Sequence, residues 1–425
     1  MPLSKAMQQM PATPDEAMIA EAYIYLLGRA LVLRQEHTDC KEKGFAYNKI
    51  KYNPLGSADF VNPNFDVAYL EAWFAVDDKT PVILEVPKIE GRYYTAQILD
   101  EWGEVVANIN ERTFPTRPFG RFLLAKPGSR VKTPRGAGRI ELHSAKAKML
   151  ARVEIKGDPA GAIKLQRAFK VKVTGKPSVR KPNTIPMFDN KDLIGVELFE
   201  LSEEIMTNAL DVAPNAASMQ EKVRAVAMHV ASGEQARTQV DNHLREKVIP
   251  DYKVYAITKV GPLRNGWLAP ATAGNYGSNY RARTMVNLLG IWGNSTDEVL
   301  YFGASHGPDG KPLDGGRGYV MRFPAGALPE MVVNAYWSVI VVSVPDYRVI
   351  PNPLKRYNFN NHSPLKKEAD GSLKIGIGPK PPPGVPESNW LPSAPGKPFA
   401  LTFRTYVPKE IVRTEWAPPA LTALN

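Results

Sequence analysis

The chain of 425 residues has a single cysteine, Cys40, which excludes an internal disulfide framework and any thiolate zinc or iron–sulfur centre. Cys40 itself reads as a small, buried apolar side chain. Histidine is nearly as scarce: His37, His143, His229, His243, His306 and His362 form no H-x-H, H-x-x-x-H or H-E-x-x-H pair, so no local metal site is expected. The D-x-D-x-D-G calcium loop is missing, as are G-x-G-x-x-G and G-x-x-x-x-G-K-[ST], which disfavours nucleotide cofactors and leaves no cofactor to expect. No apolar run approaches the roughly 20 residues of a membrane span. The opening MPLSKAMQQMPATPDEAM lacks the apolar core, roughly 7–15 residues long, of a secretory leader. A cytoplasmic location follows, or a periplasmic or secreted one if a leader has been trimmed.

What the chain does have is proline and glycine, 38 and 32 residues, within an ordinary globular balance of 44% hydrophobic and 23% charged residues. That favours many short strands joined by turns. The net charge of +11 is uneven: residues 121–181 hold 17 Lys/Arg against 3 Asp/Glu. Lys126, Arg130, Lys132, Arg135 and Arg139 fall among Pro and Gly. Lys146, Lys148, Arg152 and Lys156 alternate with apolar residues, as on the wet face of a strand. Such a stripe attracts polyanions or an anionic membrane. With only Phe122 and Phe169 as aromatic platforms in the segment, sequence-specific nucleic-acid recognition is not expected.

Periodicity divides the chain into four segments. Residues 1–44 hold an amphipathic helix announced by Thr13-Pro14-Asp15-Glu16, with Thr13 as cap and Gly28 at a close approach. Residues 45–184 change to period two in VAYLEAWFAV, PVILEVPKI, RYYTAQILDEW, GRFLLAKPG and RIELHSAKAKMLARVEI, an antiparallel sandwich. Residues 185–250 return to helical spacing in three runs. Residues 251–425 open with a helix at YRARTMVNLLGIW and continue as strands, VLYFGAS, GYVMRF, YWSVIVVSV, SLKIGIG and FALTFRTYVP, a second sandwich or jelly roll. The fold class is mainly β with a helical insert.

One literal motif is present: Gly303-Ala304-Ser305-His306-Gly307 matches G-x-S-x-G. A nucleophile elbow needs a helix next, whereas Pro308-Asp309-Gly310 is turn chemistry, so Ser305 reads as a hairpin loop. More informative are polar and aromatic residues crowded together on strands. Asn62-Pro63-Asn64-Phe65-Asp66-Val67-Ala68-Tyr69 and Tyr93, Tyr94, Asp100 and Trp102 form one group. Asn334-Ala335-Tyr336-Trp337-Ser338, Asn352-Pro353-Leu354-Lys355-Arg356-Tyr357 and Asn389-Trp390 form the other. Aromatic faces with amide and guanidinium donors suit a polar, ring-shaped ligand, and the same residues also serve to tie loops together.

At these clusters the chain resembles proteins with two tandem domains of unknown function, numbered twelve-fifty-four (N-terminal) and twelve-fourteen (C-terminal). The N-terminal resemblance lies in Asn64-Phe65-Asp66-Val67-Ala68-Tyr69, Arg92 through Asp100, and Phe122 through Gly128. The C-terminal one runs from Tyr280-Arg281-Ala282 through Leu313-Asp314-Gly315, Tyr336-Trp337-Ser338, Asn352 through Tyr357, Ala369 through Leu373 and Asn389-Trp390-Leu391-Pro392 to Trp416-Ala417-Pro418-Pro419. It implies an immunoglobulin-like sandwich, a helical middle and a jelly roll, and no general activity. Two departures stand out: Val67-Ala68 replaces the usual Thr-x before Tyr69, and Ile340 through Tyr347 replaces T-x-Y-D after the W-S pair.

The expectation is a cofactor-independent hydrolase or lyase acting on a small polar or carbohydrate-like metabolite between the sandwiches. Asp66 serves as general acid/base, Tyr69 or Tyr94 as proton donor or orienter, and Arg356 with Asn352 as clamps on substrate oxyanions. Asn64, Trp337, Ser338 and Trp390 complete the binding set, and Asp66, Tyr69, Trp337, Asn352 and Arg356 are expected to line one concavity. The rival readings are a non-catalytic saccharide or polar-ligand binding module and an envelope-associated interaction protein using the basic sheet.

Overall fold

The computed structural model describes residues 13–424 apart from 57–61, 179–180, 183, 208, 260 and 270–271; residues 1–12 of the stretch read for a leader lie outside the described residues. The first helix spans Glu16–Cys40 and is capped by Asp15, whose carboxylate accepts the Met18 amide at 2.7 Å; Thr13 is not the cap. Nor is the helix amphipathic. From Ala22 to Leu33 every residue is buried, so it is a central pillar rather than a surface helix. Gly28 is the close approach: a Cβ there would stand 2.5 Å from Thr284 Oγ1 on the Tyr280–Leu289 helix. That helix is pinned by Thr284 and Asn287, which donate to the Ile24 and Gly28 carbonyls.

The pillar packs on the middle helices through a core including Tyr23, Leu27, Leu198, Val223, Leu244 and Tyr252. Glu197–Glu200 and Ser202–Met206 are short. Ala216–Val230 and Glu234–His243 are longer, and the latter runs through a wide turn, Leu244–Val248, into Ile249–Thr258. Helix therefore continues past Pro250, and the wide turn just before it, where the Ile249 amide reaches back to the Leu244 carbonyl, is where the proline ring is accommodated. Among the described residues no helix is long and apolar enough to cross a membrane.

Two sandwiches flank this helical core, so the protein is mainly β with helical parts. The first pairs a five-stranded sheet with a four-stranded one over Leu70, Phe74, Leu84, Ile98, Phe122 and Met149. The second pairs a six-stranded sheet with a four-stranded one over Phe302, Met321, Trp337, Val339, Ile375 and Phe403. Pairing is antiparallel except between Gly120–Ala125 and Ala137–Glu141 and between Leu373–Gly378 and Trp390–Pro392, which run parallel.

The five- and six-stranded sheets each have one apolar face in their own sandwich, and the other face is also buried. On the first, the Val67–Ala75 and Lys146–Glu154 strands turn Ala68, Leu70, Ala147 and Met149 inward. Period two then sends Tyr69, Glu71, Trp73, Lys146, Lys148, Arg152 and Glu154 to the opposite face. This corrects the reading of that stripe as solvated: Lys146, Lys148 and Arg152 are 7%, 2% and 4% exposed. The helical pillar and the second sandwich cover them. Lys156, just beyond the strand, is exposed as expected.

Candidate functional site

On the six-stranded sheet, the Phe399–Tyr406 strand alternates Phe399, Leu401 and Phe403 inward with Thr402, Arg404 and Tyr406 outward. Register places Arg404 opposite both Tyr301 and Ser338, and Ser338 opposite Asn360. Tyr301, Arg404, Ser338 and Asn360 thus form one polar row facing the first sandwich. There Tyr69 is opposite Arg152 in register. Tyr69, Val67 and Tyr93 pack with Tyr301, Tyr336 and Tyr406 across the junction, where the Tyr336 and Tyr406 rings stack at 4.1 Å.

The Asn64–Asp66 loop leads into this junction. Asn64 accepts the Asp66 amide through Oδ1 at 2.7 Å and donates through Nδ2 to Tyr406 Oη at 2.5 Å. Asp66, 3% exposed, accepts Asn358 Nδ2 and Asn360 Nδ2 on one oxygen, Oδ1, each at 2.7 Å. Burial raises its pKa, against the pull of Asn360, Ser338, Arg404 and Asn358. No hydrogen bond of ordinary geometry reaches its other oxygen, Oδ2, or the buried Arg404 Nη1, while the Ser338 hydroxyl lies close enough to act on Asp66 and the Tyr336 hydroxyl on Tyr406. Leaving such a group unpaired costs about 1–3 kcal/mol, and at this junction a carboxyl oxygen and a guanidinium nitrogen are left over together.

Other charges at the junction are satisfied. Glu298 is gripped by Arg112 Nη2 at 2.7 Å and Nε at 3.0 Å, by Asn110 Nδ2 at 3.0 Å and by Tyr93 Oη at 2.9 Å. Glu154 takes the Tyr93 amide at 2.8 Å and meets His362 Nε2 at 3.0 Å. Among the described residues no group of three or more His, Cys, Asp or Glu could hold a metal ion.

The expected site residues divide. Asn64, Asp66, Tyr69 and Ser338 come together at the junction, with Tyr69 and Tyr301 retaining open surface. The others are engaged inside their own sandwich. Tyr94 Oη donates to the Pro118 carbonyl. Trp337 stacks on Phe403 at 5.5 Å in the second core. Asn352 brackets the Ile350 and Arg356 backbone, Arg356 Nη1 donates to the Glu387 and Trp390 carbonyls, and Trp390 Nε1 donates to the Gly378 carbonyl. Ser305 lies in the hairpin loop expected: Leu313 N returns to its carbonyl, and its Oγ meets His306 Nδ1 on the surface. Cys40 is partly rather than fully buried, with Sγ 3.7 Å from Tyr47 Oη.

Arg152, Arg404, Tyr406, Asn358 and Asn360 are not among the expected site residues, and Tyr336 stood in the polar–aromatic cluster without a role. The signal for Arg404 is its place in FALTFRTY, where Thr402, Arg404 and Tyr406 recur at period two between phenylalanines. The clearest pockets lie elsewhere. One of about 220 Å³ is bordered by Asp39, Glu71, Trp73 and Lys148, and one of about 410 Å³ by Pro345, Pro351 and Pro398. In the first, Lys148 is already paired with Asp39 at 2.8 Å and with Glu71 at 2.6 Å; the second has no buried charge. The junction is therefore the better candidate.

Comparison with known proteins agrees with the architecture. Residues 45–173 match the family described as Protein of unknown function (DUF1254), and residues 298–410 match Protein of unknown function (DUF1214). No curated protein matches. Among solved structures, the VPA0106 protein from Vibrio parahaemolyticus is 20% identical over 96% of this chain and 100% of its own, with a TM-score of 0.68. An uncharacterised protein from Burkholderia cenocepacia is 12% identical over 98% of this chain and 92% of its own, with a TM-score of 0.46. Both conserved units are thus present in order, separated by the helical middle, and the chain belongs to the family of proteins that join a DUF1254 domain to a DUF1214 domain.

Proposed function

We propose that the junction between the sandwiches is the active site of a cofactor-independent hydrolase or lyase acting on a small polar or carbohydrate-like molecule. The observation that carries this reading is the asymmetry of Asp66. One oxygen is filled by two amide donors, so a proton on this carboxyl resides on Oδ2, which neither amide reaches. Burial favours that protonated form. A carboxyl whose protonated form burial favours suits a general acid, and after donating its proton it becomes the base for a following step. Tyr69 stands at the open edge as orienter, and Asn64 fixes the loop. Tyr94, Trp337, Asn352, Arg356 and Trp390 shape the two sandwiches that hold the site.

The test is a metabolite screen on the full chain by thermal shift, followed by turnover assays on whatever binds. Asp66→Asn keeps the shape and removes the acid. Its kcat should fall by about 10²–10⁴-fold, with affinity changed only a few-fold. Unchanged turnover would end the acid role, and a change confined to affinity would make the junction a binding module.

A further inference from the structure

We infer that the ligand of this junction is a small organic anion, its carboxylate or phosphate received by Arg404 and its charge balanced by Arg152. The inference rests on the junction being a ligand site, and adds the ligand's class.

The two guanidiniums are buried and permanently charged, and a buried charge ordinarily has a counter-ion. Among the described residues Arg152 has no carboxylate partner. Its Nη1 donates to Gln97 Oε1 and to the Leu150 carbonyl, and its Nη2 to the Trp292 carbonyl. The phenols of Tyr69, Tyr301, Tyr93 and Tyr406 surround it. The next acid along its strand, Glu154, is taken by His362 and the Tyr93 amide. Arg404 is held through Nη2 alone, by the Asn62 and Pro63 carbonyls at 2.8 and 3.0 Å. Its Nη1 remains unpartnered. Asp66 stands beside Arg404 without a hydrogen bond to it, and its own burial disfavours the carboxylate.

Neutral carbonyls therefore aim both arginines: Arg152 has no carboxylate partner among the described residues, and Arg404 has Asp66 beside it with no ion pair formed. Two of those carbonyls belong to residues in left-handed backbone, Asn62 at φ 53° and Trp292 at φ 69°, a conformation that is costly for a bulky side chain such as Trp292. The fold holds that strain to orient a cation, as a pre-organised anion site requires. With the Ser338 and Tyr336 hydroxyls on the same junction as Arg404 Nη1, which has no partner, the donors suit an oxyanion on a hydroxylated body. The aromatic walls suit the body itself.

Calorimetry on the full chain at constant ionic strength tests this, with sodium D-glucuronate, glucose 6-phosphate and inorganic phosphate as anionic probes and D-glucose as the neutral one. At least one anionic sugar should bind at least about tenfold more tightly than D-glucose; which one binds separates carboxylate from phosphate. Arg404→Lys keeps the charge but loses the fork, and should weaken that binding at least about tenfold. Ser338→Ala covers the case of an arginine variant that does not fold: it leaves both guanidiniums in place, removes one hydroxyl donor and should weaken the anion at least a few-fold. The inference is overturned if glucose binds as well as its anions, if no anionic probe binds, or if binding is unchanged in both variants. Asp66→Asn separates this from the catalytic proposal, since it should abolish turnover yet leave anion binding within a few-fold.

Discussion

One strand, Lys146–Glu154, carries buried cations at both ends, and the two ends are treated in opposite ways. At the start, each lysine has acids of its own. Lys146 meets Glu36 at 2.8 Å, and Lys148 meets Asp39 at 2.8 Å and Glu71 at 2.6 Å. Tyr47 and Trp73 then cap Glu36 and Asp39. At the far end Arg152, over the Tyr69 ring, is held by carbonyls and an amide oxygen only. The lysine end is closed on itself and serves the fold, tying the helical pillar to the sheet. The arginine end keeps its surplus charge, which marks it as the end that receives something.

The largest expected effect comes from cutting the closed end. Lys148→Met leaves Asp39 and Glu71 buried without their cation and should cost about 3–5 kcal/mol. Arg152→Gln strands no acid; it frees carbonyls only, for about 1–3 kcal/mol. Urea unfolding of both variants decides the point, and equal losses would erase the difference between the ends.

Acid titration should separate the ends by sign. Glu71 is pulled down to about 2: burial opposes the shift, and Lys148 and Lys51 drive it. A depressed carboxylate contributes stability that is present above its ordinary pKa and is lost as pH falls through the folded value, here between about pH 4.5 and 2. Asp66 is raised by burial, so its contribution is present below the ordinary carboxylate value and lost as pH rises through the folded one. Unfolding midpoints followed from pH 2 to 8 should lose the acid limb in Glu71→Gln and flatten on the alkaline side in Asp66→Asn. No change in either variant would mean that these groups do not set the profile.

A smaller effect is expected where the sandwiches meet through His362 and Glu154. The imidazole is 31% exposed on its side chain, so His362→Gln should cost about 1 kcal/mol or less, measured by urea unfolding. A loss as large as that of Lys148→Met would mean that the interdomain pair, not the pillar, holds the sandwiches together.

The sequence carried the architecture well because strand and helix periods are local signals. The helix 280–289 and the Gly28 approach were legible. The solvated reading of Lys146, Lys148 and Arg152 failed because alternation reports two faces and does not say what covers the second. The two lysines are covered by Glu36 and Asp39, about a hundred residues away on a helix that looked amphipathic, and Arg152 by Gln97 and Trp292. The site was half legible for a related reason. Asn64, Asp66 and Ser338 stood out as polar residues beside strand starts, and so did Asn352, Arg356 and Trp390, whose hydrogen bonds close locally. Only long-range register tells the two kinds apart, as with Asn360 reaching Asp66.

The smallest expected effect tests the comparison from outside. With three of its cations buried at the two ends of one strand, the basic segment 121–181 still presents Arg121, Arg130, Lys132, Arg135, Lys170 and Lys172 on the surface. A few neighbours offset these, such as Glu85 against Lys172 at 2.7 Å. Exposed charge of this kind is screened over about 10 Å at 0.1 M salt, so retention on heparin should be salt-sensitive and shared by any polyanion. Changing Arg130, Lys132 and Arg135 to Gln should lower the eluting salt and move stability by no more than about 0.5 kcal/mol. The same triple variant should leave D-glucuronate or glucose 6-phosphate binding untouched, because a surface cation and the enclosed Arg404 are different sites. If the triple variant abolished that binding, the anion would be bound on the surface loop, and the open end of the strand would lose its assigned ligand.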